Sequence, residues 1–257
     1  MYSNTILQQI TDYLNLRDQI AVLSMNKHTC ANLYIKKLTS NKITQSTILQ
    51  HKYSKMEILD VYNNPNIYDI NHLSQTLVEL NCGGYVNGLS DEGIIELTNL
   101  KFLNIHDNNK VKYLRNFTLL EGLNCGGGLS QISQINISDI GNLKYLNIYG
   151  NDKIVNLNLL KKLEYLNCGS FYPKRMNIIQ EGIRELNNLK IIYAENNDGI
   201  LQHNINNIFV NNKCYDNSDL FDINIMDNYI TNWPSYRKRF DELKKEIIKM
   251  NDRFNNK

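Results

Sequence analysis

LEGLNCGGG (residues 120–128) is the stretch on which the reading turns. Its core returns as LVELNCGG at 77–84 and as LEYLNCGS at 163–170. Cys82, Cys125 and Cys168 are therefore 43 residues apart, and Gly83, Gly126 and Gly169 keep the same step. A cysteine beside glycines has three readings: a nucleophile in a tight turn, a metal ligand, or a small core residue. The flanking leucines decide among them. Aligned on these, the chain reads Met56-x-x-Leu59-x-Val61, Leu77-x-x-Leu80-x-Cys82, Leu100-x-x-Leu103-x-Ile105 and Leu120-x-x-Leu123-x-Cys125. It continues Leu143-x-x-Leu146-x-Ile148, Leu163-x-x-Leu166-x-Cys168 and Leu189-x-x-Ile192-x-Ala194. Successive units lie 21, 23, 20, 23, 20 and 26 residues apart.

Self-similarity at this period marks a stacked-repeat architecture. Each unit supplies one short strand whose alternate residues point inward, and neighbouring units must stack to bury that face. The cysteine occupies the sixth position, where other units carry Val61, Ile105, Ile148 and Ala194. A free cysteine behaves there as a small hydrophobe. Strands lie ~4.8 Å apart, so cysteines two units apart are roughly 10 Å from one another. That is too far for a disulfide or for a shared metal at ~2.3 Å.

The pattern resembles the leucine-rich repeat, L-x-x-L-x-L-x-x-N. The resemblance implies an α/β solenoid with a curved parallel sheet of about 7–8 repeats over 56–212, INNIFV (205–210) being a degenerate eighth. The family's ninth-position asparagine stands at Asn64, Asn108, Asn151 and Asn197, and its side chain is expected to bond the turn backbone. Units with cysteine carry Tyr85, Gly128 and Phe171 there, which predicts a different turn after every second strand.

The second, third, fifth, seventh and eighth positions should face the concave side. The fifth reads Asp60, Asn81, Asn104, Asn124, Asn147, Asn167, Tyr193, an asparagine ladder expected to bond from strand to strand. At the second, Glu57, Val78, Lys101, Glu121, Lys144, Glu164 and Lys190 alternate in sign apart from Val78. The seventh alternates in size: Tyr62, Gly83, His106, Gly126, Tyr149, Gly169, Glu195. Phe102, His106, Tyr145, Tyr149 and Tyr165 form the candidate partner-binding patch, since aromatic residues are enriched at interface hot spots. The competing reading is that these rings cover one another or a terminal helix.

Before the repeats, Ile6, Leu7, Ile10 and Leu14 fall at helical spacing, as do Ile20 and Leu23. The segment resembles the F-box through Ile6, Leu7, Ile10, Tyr13, Leu14, Asp18, Leu23 and Lys27, within residues 1–40. The family's leading Leu-Pro is Tyr2-Ser3 here. The resemblance implies a Skp-type adaptor of a cullin–RING ubiquitin ligase as partner, with Leu7 and Ile10 as candidate contacts, and a target protein held by the repeats. The alternative is a stand-alone binding scaffold whose N-terminal helices only cap the first repeat. Residues 41–55 form a linker with a short helix. Residues 213–257 should form a C-terminal cap, with Tyr236, Phe240, Leu243, Ile247 and Met250 on one helix face.

Composition narrows the function classes. A formal charge of +2 over 257 residues gives no electrostatic case for nucleic acid or membrane binding, and no apolar run approaches the ~20 residues of a membrane span. The start lacks the basic and apolar regions of a signal peptide, so a cytoplasmic or nuclear location is expected. The N-x-S/T sequons at Asn116 and Asn136 read as chance in an Asn-rich chain. There is no G-K-[ST] phosphate loop, no C-x-x-C pair and no nucleophile in register beside His106. The expectation is a binding protein without catalytic residues, metal or cofactor.

Overall fold

The computed structural model describes residues 4–25, 31–171, 178–200 and the strand at 209–211. Nine parallel strands lie in chain order in one sheet: β1 (Lys37–Thr39), β2 (Ile58–Asp60), β3 (Glu79–Asn81), β4 (Phe102–Asn104), β5 (Gly122–Asn124), β6 (Tyr145–Asn147), β7 (Tyr165–Asn167), β8 (Ile191–Tyr193) and β9 (Phe209–Asn211). Fourth-position aliphatic residues pair across every junction, from Leu38↔Leu59 through Leu103↔Leu123 and Leu166↔Ile192 to Ile192↔Val210. The chain is thus a leucine-rich-repeat solenoid. The sheet begins one unit before the sevenfold register, with Ile35-x-x-Leu38 fully buried, and it includes the degenerate eighth unit as β9.

Three residues per strand cannot stabilise a sheet alone; the stack is held by its core. First-, fourth- and sixth-position residues, Leu100, Leu103 and Ile105 for example, are buried in one continuous cluster. Cys82, Cys125 and Cys168 belong to it as free thiols. Burial pushes the Cys82 and Cys168 thiols up to about 12, and raises that of Cys125 as well. Such thiols are inert at neutral pH.

Side-chain amides then join unit to unit. Asn108 Nδ2 donates to Cys82 O at 2.8 Å and to Leu89 O at 3.3 Å, and Asn108 Oδ1 accepts from Lys110 N–H at 2.8 Å. Asn151 reaches Cys125 O and Ile132 O at 3.0 Å each, and Asn197 reaches Cys168 O at 3.0 Å and Ile178 O at 3.1 Å. In the first cysteine unit the turn is built otherwise: Asn87 Nδ2 donates to Gly83 O at 3.1 Å and its Oδ1 accepts from Leu89 N–H. A second set sits just before the first-position leucine, where Asn99, Asn142 and Asn188 donate to Ser74 O, Thr118 O and Lys161 O. Much of the asparagine richness is therefore structural.

At the N-terminal end lie helices α1 (Asn4–Asp12) and α2 (Leu16–Leu23). Asn15 caps α2, its Oδ1 accepting from Asp18 N–H at 3.0 Å. The Gln8 amide clamps Tyr34, accepting from its N–H and donating to its C=O, both at 2.8 Å. Leu7, Leu16, Ile20 and Leu23 pack against the repeat core. The segment expected to hold a helix has two short turns, Gln45–Ile48 and the 3₁₀ turn His51–Tyr53. The expected C-terminal helix lies outside the described residues.

The core reading has a direct test. Cys125→Val should fold and cost less than ~1.5 kcal/mol in denaturant unfolding, while Cys125→Asp should disrupt the array by burying an unpaired carboxylate. Native Cys82, Cys125 and Cys168 should label with a thiol reagent only as fast as the protein unfolds.

Candidate functional site

Two surfaces hold the sequence-selected residues: the outer face of the sheet and the outward face of α1. On the outer face, the alternation at the seventh position has a packing reason. A Cβ at Gly83 would stand 3.3 Å from Tyr62 Cδ2; at Gly126 it would meet His106 Nδ1 at 3.1 Å; at Gly169 it would meet Tyr149 Cδ2 at 2.8 Å. Each large side chain therefore leans over the glycine of the next strand. Tyr149 also meets Phe171 edge-on, with centroids 4.7 Å apart. Tyr145 and Tyr165 stack at 4.9 Å with planes 14° apart.

The outer-face rings are consequently less open than their positions imply. Tyr149 and Tyr165 are each only 8% exposed, because both pack sideways along the sheet. Phe102, His106 and Tyr145 are half-buried. The fifth-position ladder also differs from expectation. Asn104, Asn124 and Asn147 each accept from the backbone N–H two residues on, at 3.0, 3.2 and 2.9 Å. One strand-to-strand bond occurs in this row among the described residues, Asn81 Nδ2 to Asp60 Oδ1 at 2.9 Å. Desolvation raises the Asp60 carboxyl above its usual range, against the opposing bonds from Tyr62 N–H and Asn81 and the charge of Lys37. The second-position charges do pair: Lys36–Glu57 at 3.0 Å, Lys144–Glu121 at 2.8 Å, and Lys190–Glu164. Exposed pairs of this kind contribute at most ~1 kcal/mol each.

Asp107 is a hub that the repeat pattern alone did not single out. It is buried, and its backbone lies in the left-handed region (φ 54°), as do those of Asn63 and Asn196 at equivalent places; Gly84, Gly127 and Gly150 do the same at three further eighth positions, and the sixth unit has Ser170 there. Asn, Asp and Gly tolerate this conformation best, so that column was a readable turn signal. Asp107 Oδ2 lies 3.2 Å from His106 Nε2, and Oδ1 accepts from Leu129 N–H at 3.2 Å. Tyr85 adds a phenol hydrogen bond from the preceding unit. Burial acts to raise the carboxyl's pKa, but the His106 bond and charge, the Leu129 N–H and Tyr85 outweigh it and hold the group below its usual range. Asp107 thus ties together three successive units, with His106 as its neighbour in the chain. Among the described residues no three metal-ligating side chains converge, and no helix is long and apolar enough to cross a membrane.

On α1 the two candidates separate. Leu7 points into the repeat core, while Ile10 points outward. Ile6, Ile10 and Tyr13, at i, i+4 and i+7, are 44%, 52% and 92% exposed. The opposite face buries Thr11.

No protein-family model matches the chain, and no curated protein matches it. Solved structures do. An internalin C2 from Listeria monocytogenes is 20% identical, with a TM-score of 0.54, covering 82% of this chain and 92% of its own. A second Listeria monocytogenes internalin is 20% identical, with a TM-score of 0.49, over 73% of this chain and 56% of its own. Rad7 in its yeast complex with Elc1 is 16% identical, with a TM-score of 0.42, over 86% and 66%. At these identities the likeness is one of fold.

The Asp107 hub predicts a pH dependence. Its native pKa is depressed, so its contribution is full above the unfolded value of about 3.9 and is lost as pH falls through the native one. Asp107→Asn keeps the left-handed turn but not the charge. Its melting temperature should fall below wild type at pH 7, and the gap should close toward pH 3.

Proposed function

We propose that the chain is a protein-interaction scaffold whose N-terminal module docks one protein while the outer sheet face holds another. As the F-box resemblance implies, the first partner is a Skp-type adaptor of a cullin–RING ubiquitin ligase, and the chain selects the target. The observation that carries this reading is the exposed Ile6–Ile10–Tyr13 surface formed by α1 and the turn that ends it. A helix that merely capped the array would turn a polar face outward. Three apolar side chains at i, i+4 and i+7 are instead the anchor set with which a helix enters an apolar groove. Such a receptor performs no bond chemistry; it raises effective concentration by holding two proteins on one body. Phe102, His106 and Tyr145 would meet the target, with Tyr149 and Tyr165 as packing beside them. A cytoplasmic or nuclear location goes with this reading.

The second reading is a stand-alone scaffold with no ubiquitin link. The Gln8 clamp on Tyr34 favours it, because that clamp makes α1 an integral cap of the sheet. Co-purification separates the two. Full-length chain expressed with a Skp-type adaptor should retain it, and Ile6→Asp with Ile10→Asp should abolish retention while leaving the melting temperature nearly unchanged. A wild-type chain that never retains adaptor leaves the stand-alone scaffold.

A further inference from the structure

The near-neutral net charge conceals an asymmetry. Residues 1–56 contain seven Lys or Arg against two Asp and no Glu. Part of this excess gathers where the first two units begin their strands. Ile35 N–H donates to Lys52 O at 2.7 Å, which fixes the 51–55 segment beside the start of β1. The Tyr34 ring then has two neighbours: Lys55 Nζ at 4.2 Å from its centroid, and the His51 ring at 5.1 Å. Lys52 Nζ stands 5.2 Å from the Tyr53 centroid, and His51 Nε2 lies 3.2 Å from Ala31 O.

Lys52 and Lys55 lie in no ion pair among the described residues, whereas Lys36, Lys144, Lys161 and Lys190 each face a carboxylate. An ammonium held on a ring face keeps its charge available to a partner. It also has less side-chain freedom left to lose on binding. The exposed Leu49 adds apolar surface near these cations in the sequence.

From this arrangement we propose that the Tyr34–His51–Lys52–Lys55 patch docks an acidic, carboxylate-rich peptide segment of a partner protein. The two ammonium groups sit over different rings, Lys52 over Tyr53 and Lys55 over Tyr34, and charge beside aromatic surface suits a chain with acidic and apolar side chains. This patch uses none of the Ile6, Ile10 and Tyr13 side chains and does not depend on the adaptor reading.

The test uses the full chain and a short fluorescein-labelled peptide rich in Glu and Leu, read by anisotropy. Lys52→Gln with Lys55→Gln should weaken binding roughly tenfold, and the Lys52→Arg, Lys55→Arg pair should retain it. Lys110→Gln with Lys112→Gln, equal in charge lost but distant in sequence, should leave binding unchanged. Added salt should weaken the wild type and shrink its advantage. Circular dichroism confirms that each variant is folded. The proposal is overturned if the Gln pair binds as well as wild type, if the Lys110/Lys112 control loses as much, or if phosphatidylserine vesicles retain the chain while the peptide does not.

Discussion

Buried asparagine amides bridge every second unit to the one before it, and the rest of the stack depends on them. A strand of three residues leaves the turn that follows it with backbone carbonyls facing the interior. Water cannot reach Cys82 O or Cys125 O, and an unmet buried carbonyl costs ~1–3 kcal/mol. Asn108 and Asn151 meet those carbonyls from the next unit and fix their own turns through Oδ1. Without them the leucine core would remain apolar but would have no fixed register. With them, every unit presents the same rows at the same height.

That constant register shapes the outer face. Because neighbouring strands are aligned, a large seventh-position side chain always finds a glycine beside it, and the two close into a layer. The layer makes a firm surface at the expense of openness. Tyr149 and Tyr165 are held by Gly169, Phe171 and Tyr145, leaving Phe102, His106 and Tyr145 as the more accessible members of the row. The N-terminal helices work in the opposite way. One face of α1 seals the end of the core through Leu7 and Gln8, and the other leaves three apolar side chains in solvent.

The leucine register and the burial of Cys125 were legible because a repeat makes seven independent statements of one rule. The unit at Ile35–Leu38 was not, because Ser40 breaks the sixth position and the surrounding text reads as a helical module. Tyr149 and Tyr165 stood as candidates for either partner binding or mutual packing, because strand alternation gives a face and says nothing about sideways packing. The size alternation with glycine was visible and carried that information. Asparagine abundance read as composition, yet Asn99, Asn142 and Asn188 recur just before a first-position leucine. The charge asymmetry was hidden by summing over the whole chain. Whether Leu7 or Ile10 faced outward could not follow from spacing, since both fit the same helical period and only the position of Tyr34 decides between them.

Native-state hydrogen exchange tests the amide staple most directly. Lys110, Lys153 and Gly199 are turn residues, and their N–H groups donate to Asn108, Asn151 and Asn197 Oδ1 at 2.8, 3.1 and 3.1 Å. If those asparagines hold the register, the three amides should exchange as slowly as the ladder amides of Ile105 and Ile148, which bond Asn124 O and Asn167 O just past the strands, through opening of the array. Exchange at the rate of an exposed loop, with the strands still protected, would contradict the account.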